Sequence, residues 1–458
     1  MGERIVHCDL AFTPEGWRED VALHLDPAGV VRAVREAAPG AAATRLTGPV
    51  VPGMVNIHSH AFQRAMAGRA SAPAGSSRHF WSWREAMYAV AARVTPEILE
   101  ALAGWLYAEM LCAGFTTVAE FHYLHHDPDG AAYEDRGELA ARVLAGARAA
   151  GMPITLLPVL YDQGGAGGAP VAGPQRRFCN DVDAYARLVE RCRRLVAEHP
   201  LARLGVAPHS LRAVSPDALR ALLETVRAAH EPVHIHVAEQ PAEVEACLAH
   251  LGARPVAWLL DHAEVDGRWC LVHATHLDAA ERGRAAATGA LAGVCPSTEA
   301  DLGDGFFAAE AWLGSEGRLG VGSDSNLRLD PCEELRLLEF SARLRQGRRD
   351  VLADERAGAG TRLWRRAAGD AASVVDQPVG AIAEGRRADL VELDPAHPLL
   401  EACAPEDLLE VFVLAGGPGM VRSVHVAGER VVGHGRHRSE EALRAAFRRA
   451  QAALWGGA

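Results

Sequence analysis

The chain has 458 residues, of which 49% are hydrophobic and 23% charged, as in globular proteins with a packed core. Its formal net charge is -12, and it has neither a basic run nor an apolar run of about 18 residues, which argues against nucleic-acid and membrane partners and predicts a cytoplasmic protein. All 47 basic residues are arginine, so chemistry that needs a lysine, such as a Schiff base or a carboxylated lysine bridging two metal ions, is excluded.

Both ends of the chain carry short strand-like runs separated by turns rich in Gly and Pro. Because chain termini often lie close together, we predict that residues 1–50 and 380–458 form one small β-sandwich domain. The strand-like runs at the two ends are residues 4–10, 21–25, 30–34, 388–394 and 421–432.

Between residues 51 and 379, strand-like apolar runs alternate with amphipathic helical patterns, which indicates an α/β domain with a parallel sheet. There are eight such runs, the number and spacing of a (β/α)8 TIM-like barrel, whose active sites lie at the carboxyl ends of the strands. A doubly wound sheet is the alternative, but no GxGxxG motif follows the first strand. The runs are residues 50–60, 116–123, 152–160, 202–210, 232–239, 269–276, 289–298 and 318–326.

The segment 163–174, after the third predicted strand, is rich in Gly, Ala and Pro. This composition predicts a mobile loop, either a lid over the active site or a plain excursion over the surface.

Several predicted strands end in polar residues that buried strands normally avoid. His58 and His60 end the first strand, and because residues two apart in a strand point to the same face, both imidazoles can reach one ion. His234 and His236 repeat this spacing on the fifth strand. Each pair alone is weak evidence, because a chain with 21 histidines is expected to contain such a pair by chance.

Two further polar residues complete the pattern: His273 on the sixth strand and Asp324 at the end of the eighth. Asp324 alone would be interpreted as a turn or helix-capping residue. Together with the histidine pairs, however, these residues make a ring of nitrogen and oxygen ligands typical of a hydrolytic metal such as Zn²⁺.

At this point the sequence resembles the amidohydrolase superfamily, including the segment 380–391, which is similar to that superfamily's return into its small domain. Many members hold two metal ions across a carboxylated lysine on the fourth strand, where this chain has His209 instead. The resemblance therefore implies the deaminase subclass with a single ion, Zn²⁺ or alternatively Fe²⁺, and a homodimer. The ligands it implies are His58, His60, His236 and Asp324.

Of the pair on the fifth strand, His236 is the expected ligand because it lies nearer the carboxyl end, and His234 is the expected core histidine. The metal would lower the pKa of a bound water. We expect His273, with Asp324, to take the proton from that water, and Glu239 to deliver a proton to the departing nitrogen.

Charged residues on the predicted strand-end loops indicate the substrate class. Arg84 and Arg212 are two cations in an acidic protein, and arginine binds carboxylates through paired hydrogen bonds, which predicts a small dicarboxylate substrate. Gln63 and Tyr123 add neutral hydrogen-bonding groups. The alternative is that each arginine only pairs with a nearby acid, such as Glu85.

Five segments together resemble the formimidoylglutamate deiminase family, which hydrolyses N-formimino-L-glutamate to N-formyl-L-glutamate and ammonia in histidine degradation. The alternatives are a deaminase of a purine such as guanine, in which Trp81 and Trp83 would stack on the base, and a non-catalytic scaffold. The segments are residues 58–64, 81–84, 121–123, 207–212 and 236–240. The substrate-binding residues that the resemblance implies are Gln63, Arg84, Tyr123, His209 and Arg212.

Overall fold

The computed structural model describes residues 4–36, 44–70, 80–227 and 230–456. The strands fall into three groups along the chain. The amino-terminal strands are β1 (Arg4–Thr13), β2 (Gly16–Leu25), β3 (Val31–Glu36) and β4 (Thr44–Pro52). The central strands are β5 (Met54–Ser59), β6 (Phe115–His122), β7 (Ile154–Leu160), β8 (Ala202–Leu204), β9 (Ala207–Pro208), β10 (Val233–Val237), β11 (Trp269–His273), β12 (Leu291–Val294) and β13 (Arg318–Val321). The carboxyl-terminal strands are β14 (Leu390–Leu393), β15 (Val421–Val426), β16 (Glu429–Gly433) and β17 (Arg436–His437).

The central strands form a closed parallel barrel. Strands β10 to β13 continue through β5, β6 and β7 to β8, and β9 pairs with β7 beyond the end of β8. Bridges from Val206 to Val233 and from Ser210 to His236 join the β8–β9 segment to β10 and close the ring. The barrel therefore has eight strand positions, which confirms the predicted (β/α)8 architecture.

The predicted first barrel strand, residues 50–60, is divided at Gly53. Residues up to Pro52 belong to β4 in the second sheet, and β5 begins at Met54. A Cβ atom at Gly53 would collide with the side chain of Thr116 on β6, so this close approach requires glycine. The hydrophobic pattern showed one continuous run because both halves are buried.

Strands from both chain ends form the second sheet, in the order β17-β16-β15-β14-β4-β1-β2-β3. All neighbours are antiparallel except β1 and β4, which pair in parallel. Leu23 and Val50 from the amino-terminal part pack in one apolar cluster with Leu390 from the carboxyl-terminal part. Burial of this shared cluster explains why the two ends come together.

The helices surround the barrel, and two of them begin at hydroxyl residues that cap the first turn. Thr95 accepts a hydrogen bond from the Ile98 N–H at the start of α2, and Ser215 does the same for Ala218 at the start of α5. The helices are α1 (Phe80–Ala91), α2 (Pro96–Ala113), α3 (Glu138–Ala150), α4 (Val182–Ala197), α5 (Pro216–Arg227), α6 (Pro241–Leu251), α7 (Pro255–His262), α8 (Ala279–Ala287), α9 (Pro296–Leu302), α10 (Ala309–Gly314), α11 (Pro331–Gln346), α12 (Ala359–Asp370), α13 (Ala372–Val375), α14 (Leu408–Leu414) and α15 (Glu440–Trp455).

The last helix, α15, packs against the barrel helix α2, where the rings of Phe447 and Trp105 lie 5.9 Å apart. The carboxyl-terminal segment thus contacts the barrel as well as contributing strands to the second sheet. Within the described part of the chain, no helix has the length and apolarity needed to cross a membrane.

Candidate active site

The predicted site residues converge on a cavity at the carboxyl ends of the barrel strands. His58 lies beneath its floor and is fully buried. A set of aromatic and apolar side chains completes the wall, including Trp83, Met87, Tyr88, Tyr161, Phe178 and Leu302. The predicted residues that line the cavity are His60, Gln63, Arg84, Tyr123, His209, Arg212, His236, Glu239, His273 and Asp324.

Four of these side chains point their ligand atoms at one another. The Nε2 atom of His58 lies 3.1 Å from that of His60 and 3.0 Å from that of His236. Asp324 Oδ1 lies 3.1 Å from His60 Nε2 and 3.4 Å from His58 Nε2. Ligand atoms around a tetrahedral Zn²⁺ lie roughly 3.3 Å apart, as follows from bond lengths of about 2.0 Å. The cluster therefore has the spacing and donor types of a metal site.

Hydrogen bonds and burial hold the imidazoles in the form that binds a cation. His60 Nδ1 lies 2.9 Å from the Phe121 carbonyl, and His236 Nδ1 lies 3.0 Å from the His209 carbonyl. Since a carbonyl only accepts, each Nδ1 donates and each Nε2 presents its lone pair to the cluster. Burial lowers the pKa of His58 to about 3, so this side chain is neutral at pH 7.

The carboxylate of Asp324 is ionised in this cluster. Burial alone would raise its pKa, but the adjoining imidazoles of His58 and His60 hold the pKa of Asp324 well below its usual value. Three imidazole nitrogens and one carboxylate are the donor groups that suit a divalent cation.

His273 connects this cluster to the rest of the cavity. Its Nδ1 lies 3.2 Å from Glu299 Oε1, while its Nε2 lies 3.8 Å from Asp324 Oδ2 and 3.7 Å from Glu239 Oε1. Although burial opposes protonation, the charges of Glu239, Glu299 and Asp324 hold the pKa of His273 well above its usual value. Its Nε2 faces the carboxyl groups of both Asp324 and Glu239, so the imidazole is placed to exchange protons between the two sides of the cavity.

Glu239 is held at the cavity wall by a tight turn. The N–H groups of Ala238 and Glu239 donate to the Glu243 carboxylate at 3.1 and 3.0 Å, and Ala238 has a φ of +54°. Burial raises the pKa of Glu239, and the nearby charge of Asp324 raises it further. A carboxyl group with a raised pKa can remain protonated at neutral pH and act as a general acid.

Sequence reasoning missed two acids in this region. Glu299, on α9, orients His273, and Asp304 has a carboxylate oxygen within 4.8 Å of both Glu239 and His273. Burial and the charge of Glu239 raise the pKa of Asp304 to about 9. Glu299 directly follows the predicted strand at residues 289–298, so its position was a signal that the sequence analysis did not use. Asp304 lies beyond every predicted strand end, and no pattern in the sequence distinguished it from surface acids.

A short set of buried hydrogen bonds, the strand-joining bonds, connects the first and last barrel strands at the metal cluster. Asn56 Nδ2 donates to Ser323 Oγ at 2.6 Å, Ser323 Oγ donates to Asn326 Oδ1 at 2.6 Å, and Asn326 Nδ2 donates to the His60 carbonyl at 2.9 Å. The Asp324 N–H also donates to the His58 carbonyl at 2.9 Å. These bonds set the distance between the two histidines on β5 and the carboxylate after β13.

Two neutral residues predicted to bind substrate lie side by side. Gln63, on a 3-10 helix spanning Ala61–Met66, donates from Nε2 to the Tyr123 hydroxyl at 2.7 Å. Gln63 Oε1 is buried and accepts no hydrogen bond from the described residues. The pair thus offers one acceptor and one hydroxyl donor to a bound molecule.

The two predicted arginines occupy different surroundings in the cavity wall. Arg84 lies on α1 with its Cζ atom 5.2 Å from the centre of the Tyr88 ring. Arg212 forms neither an ion pair nor a side-chain hydrogen bond with any residue in the described ranges, although its charge acts on the buried carboxyl groups of Glu239 and Glu243 and opposes the rise of their pKa. Burial and the charge of Arg212 hold the pKa of the neighbouring His209 well below its usual value.

The structure also shows where the predicted stacking tryptophans and the predicted core histidine lie. Trp83 lines the cavity, whereas the side chain of Trp81 lies outside the described part of the structure. His234 lies outside the ligand cluster and contacts the Val374 carbonyl through Nε2 at 2.7 Å.

The buried His234 has a consequence for acid stability. Burial lowers its pKa to about 4, against about 6.5 in the unfolded chain. Between these pH values the unfolded state binds a proton that the folded state does not, so each unit of acidification costs about 1.4 kcal/mol of folding free energy. We expect the thermal midpoint to fall between pH 6.5 and 4, and to fall less in His234→Gln.

Calorimetry across this pH range measures the effect. His262→Gln serves as the control, because His262 is exposed and its replacement should leave the pH dependence of the wild type unchanged. Equal pH dependence in His234→Gln and the wild type would contradict the assignment.

The chain is similar to known proteins over nearly its whole length. A formimidoylglutamate deiminase from Pseudomonas aeruginosa is 48% identical over 447 residues, which cover 96% of this chain and 97% of that protein. An 8-oxoguanine deaminase from the same organism is 30% identical over 352 residues, covering 74% and 73%. The crystal structure of an amidohydrolase from Brucella melitensis matches with a TM-score of 0.93 and 44% identity, covering 98% of this chain and 99% of that one. The amidohydrolase family model matches residues 50–431. The chain therefore belongs to the amidohydrolase family, whose members are metal-dependent hydrolases.

Proposed function

We propose that this enzyme hydrolyses N-formimino-L-glutamate to N-formyl-L-glutamate and ammonia, a step of histidine degradation. The observation that carries the proposal is a metal-type cluster that opens into a cavity holding two arginines, Arg84 and Arg212. The substrate has two carboxylates for the arginines and an amidine carbon for hydrolysis. The 48% identity to a formimidoylglutamate deiminase supports the same reaction.

We infer that one ion binds at the cluster formed by the three imidazoles and the Asp324 carboxylate. Nitrogen and oxygen ligands of this kind favour Zn²⁺, with Fe²⁺ as the alternative. The convergence of four ligand atoms within 4.8 Å fits such an ion. When bound, the ion supplies Lewis-acid activation of water at neutral pH.

The protein groups then move the protons. We assign His273, with Asp324, to take the proton of the attacking water, because its Nε2 lies between Asp324 and Glu239. Water adds to the amidine carbon, which becomes tetrahedral. Glu239 delivers a proton to the imino nitrogen, which becomes an NH₂ group on the tetrahedral carbon. The proton held by His273 then reaches this NH₂ group through Glu239, and the C–N bond breaks with release of ammonia. The hydroxyl proton that is lost as the formyl C=O forms restores the protonated Glu239.

Binding is divided between charged and neutral groups. We assign Arg84 and Arg212 to the two carboxylates, and Gln63 with Tyr123 to the amidine, because the free Gln63 Oε1 can accept an amidine N–H. We assign His209 to the substrate as well. Burial keeps its imidazole neutral, so it hydrogen-bonds without competing with the arginines for charge.

Replacing Arg212 with Ala should raise KM and lower kcat/KM by about 30-fold or more, with a much smaller change in kcat. Loss of a buried, charge-paired hydrogen-bonding group costs about 2 to 5 kcal/mol of binding. Steady-state assays of ammonia release measure both constants. Arg220→Ala on the same loop-helix segment is the control, because Arg220 is exposed and pairs with the surface residue Asp217. An unchanged KM in Arg212→Ala would remove the argument for a carboxylate substrate.

One experiment separates this function from the alternatives. Ammonia release is measured with N-formimino-L-glutamate, guanine and adenosine, and the metal content is determined on the same sample. We expect activity with the first substrate. Activity confined to a purine would favour the second candidate, which the position of Trp83 and the similarity to an 8-oxoguanine deaminase support. Protein that takes up no zinc and acts on none of the three would favour a scaffold.

We also propose that the enzyme acts as a cytoplasmic homodimer on a small molecule, with no nucleic-acid or membrane partner. The net charge of -12 supports the last point, because a polyanion would be repelled. Light scattering on the purified protein tests the dimer.

A further inference from the structure

Tyr161 follows β7 and lines the cavity, although the sequence patterns did not single it out. Its ring lies 5.0 Å from the ring of His209, centre to centre, and its side chain is almost fully buried. The hydroxyl oxygen lies 2.9 Å from Gln175 Nε2 and 3.5 Å from an Arg84 guanidinium nitrogen. Tyr161 is therefore in contact with a residue already assigned to the substrate.

The hydrogen-bonding capacity of this hydroxyl is only partly used. A tyrosine hydroxyl has one O–H donor and accepts through its lone pairs, whereas an amide NH₂ and a guanidinium only donate. Both neighbours of Tyr161 are thus donors, and none of the described residues accepts its hydroxyl hydrogen. By contrast, the buried Tyr185 donates to the Pro158 carbonyl at 2.9 Å. Buried donors normally have acceptors, so we expect a molecule bound in the cavity to accept the hydrogen bond of the Tyr161 hydroxyl.

The surroundings define the chemistry of that acceptor. The cationic Arg84 lies beside the hydroxyl, so a negatively charged oxygen is the acceptor that satisfies both groups. We propose that Tyr161 positions the substrate by donating a hydrogen bond to the same carboxylate that Arg84 binds. This inference rests on the proposed function and adds a residue to its binding site.

The segment that follows Tyr161 fixes this arrangement. Gln175 Nε2 donates both to the Tyr161 hydroxyl and to the Gly164 carbonyl, each at 2.9 Å. Gln163 Nε2 donates to the Arg212 carbonyl at 3.4 Å, and the Asp162 N–H donates to the Ala213 carbonyl at 3.0 Å. The loop predicted at residues 163–174 is therefore hydrogen-bonded at both ends to the wall of the cavity. Through these bonds it holds Tyr161 and Arg212 at a fixed distance from each other.

The test compares Tyr161→Phe with the wild type on three substrates: N-formimino-L-glutamate and its two analogues that each lack one carboxylate. The variant keeps the ring and removes only the hydroxyl. For N-formimino-L-glutamate we expect KM to rise about tenfold or more, as for a lost hydrogen bond to a charged group, with kcat changed much less. The increase should vanish with the analogue that lacks the carboxylate held by Tyr161 and persist with the other.

Two further variants serve as a supporting test and a control. Gln175→Ala should raise KM in the same substrate-dependent pattern but less strongly, because the hydroxyl remains and only its support is lost. Tyr185→Phe is the matched control and should leave KM unchanged, since its hydroxyl bonds to the main chain away from the cavity.

The outcomes are distinguishable. An active wild type with an unchanged KM in Tyr161→Phe, or an equal KM increase with all three substrates, overturns this inference alone. A wild type that releases no ammonia from N-formimino-L-glutamate overturns the proposed function, and the inference with it.

Discussion

Removal of the metal ion is expected to abolish ammonia release and to lower the thermal midpoint of the protein. The cation balances the charge of the Asp324 carboxylate, whose Oδ1 lies 3.1 Å from His60 Nε2 and 3.4 Å from His58 Nε2. An ion present at a thousandfold excess over its dissociation constant adds about 4 kcal/mol to stability, and its removal takes this contribution away. Dialysis against a chelator, followed by assay and calorimetry, measures both effects.

Reconstitution provides the control for metal removal. Adding back Zn²⁺ should restore both activity and thermal midpoint, which separates metal loss from irreversible damage. Asp324→Asn should show reduced zinc content even when the metal is supplied, because the carboxylate is the only anionic ligand of the cluster. Full activity in protein that is free of metal would contradict the assignment.

Replacement of Glu239 with Gln should lower kcat by about 10²- to 10⁴-fold, the range attributed to general acid-base catalysis. Glutamine keeps the shape of the side chain and can still contact His273, but it cannot deliver a proton to the departing nitrogen. Zinc content should remain that of the wild type, because Glu239 is not a member of the ligand cluster. Single-turnover kinetics on the zinc-loaded variant measure the chemical step.

Glu245→Gln is the control for this substitution, since Glu245 lies exposed on the following helix, α6, and its change should leave kcat unaltered. If Glu239→Gln retained wild-type kcat, the proton would have to come from another group. Asp304 would then be the next candidate, because it is the acid adjacent to Glu239.

The barrel could be predicted from local patterns. Each buried parallel strand is a short apolar run bounded by turn residues, and all eight runs correspond to strand positions of the barrel. The predicted polar residues at the strand ends converge because the carboxyl ends of parallel strands meet at one face. His273 and Asp324 also have positive φ angles, +67° and +43°, which place them at sharp turns where their strands end.

Other features could not be read from the sequence, because they depend on contacts between distant elements. Glu299 and Tyr161 act through neighbours that only the folded chain brings close. The division of the first run at Gly53 follows from the approach of Thr116, more than sixty residues later. Local periodicity carries no information about such pairs.

The strand-joining bonds determine the stage of protein synthesis and folding at which the metal ion can bind. They link side chains 267 residues apart in the sequence, at the junction of the first and last barrel strands. A growing chain on the ribosome already contains His58 and His60 long before Asp324 is synthesised. The complete set of ligands therefore exists only after the last strand has docked, so we expect metal loading to follow folding of the barrel, with the ion entering through the open cavity.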